Sequence, residues 1–202
     1  MFNGIIKNTG VINKIYHKNK DSLLEIKSKM KFSKEEIGSS IACSGVCLTL
    51  ENFKSNKIQF YLSKETINKS NFKKAKNNQI INLEKSLKFG NRISGHFVQG
   101  HVDTTAVIKK IDHVGKSCRI TFSLAKKFKK YIVQKGSISI NGVSLTISKI
   151  LNIGFQITII PKTLKLTNLI HLKKKDLVNI EFDLIGKYTK NFLKWSIQEL
   201  EK

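Results

Sequence analysis

The chain has 202 residues, 40% of them hydrophobic, and its 37 basic against 14 acidic residues give a formal net charge of +23 at pH 7. No apolar run approaches the roughly 18 residues that a membrane-spanning helix needs. Residues 1–4 lack the basic start and long apolar stretch of a secretory signal. These features disfavour membrane-spanning and secreted proteins, so we expect a soluble, cytoplasmic protein without a membrane partner.

The positive charge raises the question of nucleic-acid binding, because basic side chains that neutralise phosphates drive association by counterion release. Only Arg92 and Arg119 are arginines, whereas bidentate recognition of phosphate and guanine relies on arginine. The lysines are scattered through every segment and accompany abundant isoleucine and asparagine, as a codon bias toward A and T would produce. We therefore predict no nucleic-acid partner.

An internal repeat dominates the sequence. Residues 44–50 (SGVCLTL) return as residues 141–147 (NGVSLTI), shifted by 97 positions. Across residues 39–84 and 136–181, 12 of 46 positions are identical. A period near 97 is too long for a solenoid or a propeller blade, so the chain consists of two copies of one small fold. Two facing copies can hold two similar ligands related by a pseudo-twofold axis.

Each copy is predicted to be a six-stranded antiparallel β-barrel. Short segments rich in Ile, Val, Phe and Thr alternate in hydrophobicity, as in residues 58–62 and 137–140. Turn signals such as Ser44-Gly45 and Asn141-Gly142 separate these segments at short intervals. Such punctuation is typical of an antiparallel barrel and not of a βαβ fold.

Three short helices are predicted within the repeats. Residues 64–72 and 162–169 form an equivalent pair, with Thr66 and Thr163 as candidate N-caps. Residues 123–134 carry apolar residues at helical spacing.

A fourth helix is predicted after the second copy, at residues 188–200. An apolar face on such an appended helix either packs on its own domain or joins copies of the chain. The face consists of Tyr188, Phe192, Leu193, Trp195, Ile197 and Leu200.

The cysteines and histidines are not predicted to bind metal. The three cysteines include no C-x-x-C pair, so we expect reduced thiols. His96 and His101 lie five residues apart, and no set of zinc ligands is completed around them. Residues 95–102 have a strand-like pattern, so the two imidazoles are expected to point to opposite faces, with only one of them in a pocket.

The repeated element Gly-Val-Cys/Ser-Leu-Thr is a candidate ligand site. Its glycine permits a tight turn and a close backbone approach, after which Cys47 and Thr49, or Ser144 and Thr146, share one face of a strand. Two small polar side chains on one face can form hydrogen bonds with a planar heterocycle. The polar outer face of a barrel strand has the same pattern, so the pattern alone leaves both interpretations open.

Seven blocks carry a resemblance to a known family: MFNGI at residues 1–5, SGVCLT at 44–49, KET at 64–66, ISGHFVQGHV at 93–102, KGSI at 135–138, NGVSLT at 141–146 and IPKT at 160–163. Together and in this order they resemble the riboflavin synthase family over nearly the whole chain. Several blocks in the right order are far more specific than any one of them.

The resemblance implies two tandem Greek-key barrels, residues 1–88 and 89–186, followed by an oligomerisation helix at residues 187–202. It implies a homotrimer in which the first site of one subunit faces the second site of a neighbour, and it leaves open an association with lumazine synthase. The implied enzyme is a transferase. Two molecules of 6,7-dimethyl-8-ribityllumazine exchange a four-carbon unit to give riboflavin and 5-amino-6-ribitylaminouracil, and no metal or cofactor is implied.

The resemblance also assigns substrate-binding residues to the two sites. The amino-terminal site comprises Gly4, Ile5, Ile6, Ser40, Cys47, Leu48, Thr49, Tyr61, Leu62, Ser63, Lys64, Glu65 and Thr66. The carboxy-terminal site comprises Gly100, His101, Val102, Lys135, Ser144, Leu145, Thr146, Thr158, Ile159, Ile160, Pro161, Lys162 and Thr163. Ser40 and Asp183 are expected to assist the ribityl chain or a proton relay.

Catalytic roles are implied for four residues. His101 is the expected proton-transfer group, with His96 pointing outward. Ser144 and Thr146 are expected to position or activate the nucleophile that adds at C7 of the substrate. Cys47 is expected to be the polar group of the opposing barrel.

The alternative is a non-catalytic lumazine- or flavin-binding protein of the same fold, of the antenna type. Such proteins keep one working site and lose polar residues in the other copy. In this chain Cys47 and Thr49 are present in the first copy, and Ser144 and Thr146 in the second. Two competent sites are therefore expected.

Overall fold

The computed structural model of the chain describes residues 1–18 and 21–200. The strands of the first half are β1 (Asn8–Lys18), β2 (Asp21–Ser28), β3 (Ser40–Cys43), β4 (Val46–Lys54), β5 (Lys57–Leu62) and β6 (Ile80–Lys85). They close an antiparallel barrel in the spatial order β1-β2-β5-β4-β3-β6.

The second half repeats this topology. Its strands are β7 (Thr104–Val114), β8 (Ser117–Ser123), β9 (Ser137–Ile140), β10 (Val143–Leu151), β11 (Gly154–Ile159) and β12 (Leu177–Phe182). Their order, β7-β8-β11-β10-β9-β12, is that of the first barrel with six added to each number. The prediction of two six-stranded antiparallel barrels in tandem is confirmed.

Side-chain alternation along the strands fills the interior of each barrel. Phe60 and Leu62 in β5, and Phe155 and Ile157 in β11, are at most 1% exposed. Burying a side chain of this size contributes roughly 1.5–3 kcal/mol. Because each barrel encloses its own set of such residues, each half has a separate hydrophobic core.

The helices are α1 (Lys64–Lys69), α2 (Pro161–Leu166) and α3 (Leu184–Leu200), with 3-10 turns at Lys34–Glu36, Asn71–Lys74, Lys126–Tyr131 and Asn168–His171. The prediction that Thr66 and Thr163 are N-caps is wrong, because the N-caps are Ser63 and Ile160. Ser63 Oγ accepts a hydrogen bond from the Thr66 N–H at 3.1 Å. Thr66 therefore lies in the first turn of α1.

The helix predicted at residues 123–134 is also wrong. Only Lys126–Tyr131 is helical, and it is a 3-10 helix. In a 3-10 helix, side chains three residues apart are eclipsed. Phe128 and Tyr131 accordingly lie on the same side and both pack on Phe182, with ring centroids 5.7 and 5.3 Å away.

The predicted C-terminal helix is present as α3, which begins at Leu184, four residues earlier than predicted. Tyr188, Phe192 and Leu193 on α3 are each more than half exposed. Among residues 1–18 and 21–200, no helix has the length and apolar character to cross a membrane. The remaining members of the predicted apolar face have side chains outside the described part of the chain: Trp195, Ile197 and Leu200.

The two barrels meet through the turns that precede β4 and β10. Ser44 and Gly45 have φ of 45° and 79°, and Asn141 and Gly142 have φ of 47° and 79°. Positive φ at both central residues defines the two-residue hairpin turn that suits twisted strands. A Cβ on Gly45 would lie 2.6 Å from the Gly142 backbone nitrogen, and a Cβ on Gly142 would lie 2.7 Å from the Gly45 backbone nitrogen. The turns therefore pack backbone against backbone.

Buried asparagines satisfy the polar groups of this contact. Asn82 Nδ2 donates to the Asn141 carbonyl at 2.9 Å, and its Oδ1 accepts from the Asn168 N–H at 2.7 Å. The equivalent Asn179 donates to the Ser44 carbonyl at 2.8 Å. Its Oδ1 accepts from the Asn71 N–H at 2.7 Å. Each amide thus joins its own barrel to the other one, and the network follows the pseudo-twofold symmetry.

We expect Gly142→Ala to lower the free energy of unfolding by roughly 2–5 kcal/mol. About 1–2 kcal/mol comes from left-handed backbone strain, and about 1–3 kcal/mol comes from overpacking against the Gly45 turn. Gly115→Ala is the matched control, because Gly115 also has positive φ (58°) but nothing lies within 4 Å of its added Cβ. Urea unfolding followed by circular dichroism measures both variants, and equal losses would contradict the inter-barrel contact.

Candidate functional site

Two short segments cross between the halves. The amino-terminal crossing segment (residues 2–6) and the central crossing segment (residues 98–102) touch each other through a β-bridge, in which the Phe2 N–H donates to the Val98 carbonyl at 2.7 Å. The prediction that residues 95–102 form a strand is wrong, since only Val98 takes part in pairing.

Each crossing segment contacts the barrel of the other half. The Ser144 N–H in β10 donates to the Gly4 carbonyl at 2.8 Å, and the Cys47 N–H in β4 donates to the Gly100 carbonyl at 2.8 Å. Ile6 is part of the second barrel's core, and Val102 packs against the first. The resemblance grouped residues 4–6 with the first barrel's site and residues 100–102 with the second. Within one chain this grouping is wrong, because each segment contacts the barrel of the other half.

Glycine is required where these segments approach the strands. Gly4 has φ of 71°, and a Cβ there would lie 2.7 Å from the Ser144 Cβ. Gly100 has φ of 80°, and a Cβ there would lie 2.6 Å from the Cys47 Cβ. Only glycine adopts this backbone at so close an approach without strain.

His96 pairs with the Ser144 hydroxyl, since its Nδ1 lies 2.7 Å from Ser144 Oγ. Burial lowers the pKa of His96, and the negative charge of Asp183 opposes this effect only in part. The imidazole is therefore neutral at neutral pH. Its Nε2 is also buried and has no hydrogen-bond partner among the described residues. A neutral imidazole beside a hydroxyl can exchange a proton with it, as general acid–base catalysis requires.

His101, the predicted proton-transfer residue, is exposed on the central crossing segment, next to the Gly100–Cys47 contact. The expectation that His96 points outward is wrong, because it is the more enclosed of the two histidines. The physical reason is that residues 95–102 do not alternate as a strand. The chemical role of His101 stays a prediction.

The polar residues of β4 and β10 lie on the outer barrel surface. Thr49 and Thr146 are exposed, whereas Leu48 between the polar positions of β4 is buried. Cys47 and Thr49 thus share one face, as the alternation predicts. Across the hairpin Thr49 pairs with Ser40.

The strands β5 and β11 bring a second group of predicted residues alongside. The pairing of β4 with β5 ends at Leu50 and Phe60, so Thr49 and Tyr61 follow at adjacent positions. Beyond Tyr61, Ser63 Oγ lies 3.0 Å from Thr66 Oγ1. In the second half the following residues occupy the equivalent places: Thr158, Ile159, Ile160, Pro161, Lys162 and Thr163. Lys135 is exposed just before β9.

Comparison with known proteins agrees with this architecture. Residues 3–86 and 99–183 each match the family described as Lumazine binding domain. The riboflavin synthase of Actinobacillus pleuropneumoniae is 36% identical over 96% of this chain and 90% of its own length. That of Bacillus subtilis (strain 168) is 35% identical over the same shares, and that of Schizosaccharomyces pombe is 34% identical over 98% and 97%. The chain belongs to the riboflavin synthase family.

Solved structures share the fold. LumP complexed with riboflavin has a TM-score of 0.79 at 26% identity and covers 90% of this chain and 99% of its own. LumP complexed with 6,7-dimethyl-8-(1'-D-ribityl) lumazine has a TM-score of 0.78 at 24% identity, over 90% and 98%. In this member of the riboflavin synthase family, residues 3–6 and 99–102 of the crossing segments lie in the first and second matched domains, respectively. The exchange of segments therefore occurs between the two domains.

We expect the His96 imidazole to titrate below its ordinary pKa of 6.5, because burial disfavours the charged ring. Since the folded-state pKa is depressed, folding stability is lost as the pH falls through it. A pH titration of the His96 ring carbon by NMR measures the value, with urea-unfolded protein as the reference. A folded-state value at or above the unfolded one would contradict the enclosed His96–Ser144 pair.

Proposed function

We propose that this chain catalyses the riboflavin synthase reaction, in which one molecule of 6,7-dimethyl-8-ribityllumazine donates a four-carbon unit to a second. The products are riboflavin and 5-amino-6-ribitylaminouracil. Curated riboflavin synthases match the chain over nearly its full length in bacteria and in a fission yeast. The structural observation that supports a two-substrate reaction is the duplication of the polar strand, with Cys47 in one barrel and Ser144 in the other.

The substrate supplies most of the reactivity. Its C7 methyl group is acidic, because the carbanion is delocalised into the heterocycle. The protein is therefore required to position two substrates, exclude water and move protons. We assign the proton movement in the second barrel to the neutral His96 and the Ser144 hydroxyl, which are 2.7 Å apart. We also assign to the Ser144 hydroxyl the orientation of the group that adds at C7.

The first barrel presents a different set of groups. Cys47 replaces the serine, Tyr61 replaces Thr158, and His101 lies on the segment that contacts Cys47. The two sites therefore treat identical substrates differently, as the separate roles of donor and acceptor require. We retain His101 as a proposed proton-transfer group. In the second barrel we retain Thr146 as a proposed group that orients the nucleophile adding at C7.

We further propose a homotrimer in which the first site of one subunit meets the second site of its neighbour. The face that carries the half-buried Cys47 and the exposed Thr49 and His101 suits such an arrangement, since a single chain leaves it partly open to solvent. The helix α3 carries the exposed apolar Tyr188, and a groove of about 380 Å³ separates α3 from the second barrel. Apolar surface of this kind is stabilised by a second copy of the chain. Association with lumazine synthase remains a separate hypothesis.

The central experiment supplies the purified chain with 6,7-dimethyl-8-ribityllumazine alone, in the presence of a metal chelator. We expect riboflavin and 5-amino-6-ribitylaminouracil in a one-to-one ratio, quantified by chromatography. Ser144→Ala is expected to lower kcat by roughly 10²-fold, the effect of removing one acid–base partner. Ser148→Ala on the same strand is the control, because its hydroxyl donates to a backbone carbonyl, that of Gln156, and not to a histidine.

Tight binding of the substrate without turnover would contradict this proposal. It would instead support the non-catalytic, antenna-type alternative. Production of riboflavin that stops on adding the chelator would contradict the expectation that no metal is needed.

A further inference from the structure

Two buried glutamates hold the crossing segments. Glu84 in β6 and Glu181 in β12 are equivalent in the repeat and are 9% and 3% exposed. The Glu84 carboxylate accepts hydrogen bonds from the N–H groups of Asn3 and Gly4, at 2.9 and 3.0 Å.

Glu181 makes the same contact in the second half. Its carboxylate accepts from the N–H groups of Gln99 and Gly100, at 2.7 and 2.9 Å. In each half, each of the two carboxylate oxygens accepts a hydrogen bond from one of these N–H groups. A carboxylate is the side chain that accepts two such bonds without presenting a donor.

The position of each segment matters because the clamped glycine is also the residue that contacts the other barrel. Glu84 fixes Gly4, whose carbonyl bonds Ser144, and Glu181 fixes Gly100, whose carbonyl bonds Cys47. A carboxylate in one barrel therefore sets the distance between a segment and the polar strand of the other barrel.

The first clamp extends to the histidine. Asn3, held by Glu84, accepts a hydrogen bond through its Oδ1 from the Gly95 N–H at 2.7 Å. Gly95 immediately precedes His96, whose Nδ1 meets Ser144 Oγ. A continuous path of hydrogen bonds and one peptide link thus connects Glu84 to the His96–Ser144 pair. Gln99 is the equivalent of Asn3, but among the described residues its side chain makes no hydrogen bond of this kind.

We propose that Glu84 and Glu181 are positioning residues for the reaction, each holding a crossing segment of its own half against the polar strand of the opposite barrel. Glu84 sets the geometry of the His96–Ser144 pair, and Glu181 sets that of the Cys47 site. The inference rests on the proposed function for its kinetic consequences but not for its geometry.

The electrostatics support a functional role. Burial raises the pKa of Glu84, and it raises that of Glu181 to about 7, although the backbone donors and Lys187 lower it and Asp103 raises it further. The positive charge of the Met1 amino group lowers the pKa of Glu84 slightly and does not offset the effect of burial. A raised folded-state pKa means that folding stability is lost as the pH rises through it. Ionisation of the Glu84 and Glu181 carboxylates therefore lowers folding stability. Such a loss of stability is common where residues serve function.

The test uses Glu84→Gln and Glu181→Gln, with Glu35→Gln in the 3-10 turn Lys34–Glu36 as the control, because Glu35 is exposed and lies outside the proposed sites. A glutamine keeps one acceptor and places an NH2 group against the second N–H. We expect Glu84→Gln to lower kcat by ~10- to 100-fold, as a displaced catalytic pair does, with a smaller change in KM. We also expect it to move the His96 titration, measured by NMR in free protein, toward 6.5. Glu181→Gln should leave the His96 titration unchanged.

The unaltered protein provides a second test that does not depend on the folding of a variant. The amide protons of Gln99 and Gly100 should shift together with a midpoint near pH 7, as Glu181 titrates. Independent or absent shifts would overturn the clamp. Folded variants with unchanged kcat and an unchanged His96 titration would overturn the positioning role. A chain that binds lumazine without turnover, yet has coupled amide shifts, would contradict the proposed function and leave the clamp supported.

Discussion

The backbone contact between the Gly45 and Gly142 turns determines how the rest of the molecule is arranged. Because neither turn carries a side chain at this point, the hairpins approach until a Cβ would lie within 2.7 Å of the facing nitrogen. The buried amides of Asn82 and Asn179 then satisfy the polar groups that this approach removes from water, which a buried backbone requires. A duplicated domain thereby becomes a pair of barrels with one defined relative orientation.

Under the proposed function, neither half builds its site alone. Cys47 and Ser144 each follow the contacting glycine by two residues, so the polar strands start at the junction of the barrels. Each strand is completed by a backbone segment from the other half, held there by a buried carboxylate. Two polar strands built in this way suit the proposed reaction, which needs two identical substrates in different roles. The two copies differ in their polar groups, since Cys47 corresponds to Ser144 and Tyr61 to Thr158. These differences make the two proposed sites unequal.

The sequence predicted the barrels well, because a repeat of 97 residues and alternating apolar residues are local or periodic signals. It predicted the polar faces of β4 and β10 for the same reason. The exchange of crossing segments was not predictable in this way, since it depends on contacts between residues about 50 to 140 positions apart, Cys47 with Gly100 and Ser144 with Gly4. His96 was misjudged because residues 95–102 look like a strand, whereas the N–H groups of Gln99 and Gly100 bond Glu181 and that of Gly95 bonds Asn3. The glutamates and asparagines looked like ordinary repeat positions, although the identity of both pairs between the copies was an available signal.

The most direct test of this account is a backbone NMR titration of the chain with riboflavin. We expect two sets of amide perturbations, one that joins Cys47 with Gly100 and one that joins Ser144 with Gly4, each spanning both halves of the sequence. Perturbations that group Gly4 with Cys47, or that leave both crossing segments unaffected, would contradict the claim that each barrel's site is completed by a segment of the other half.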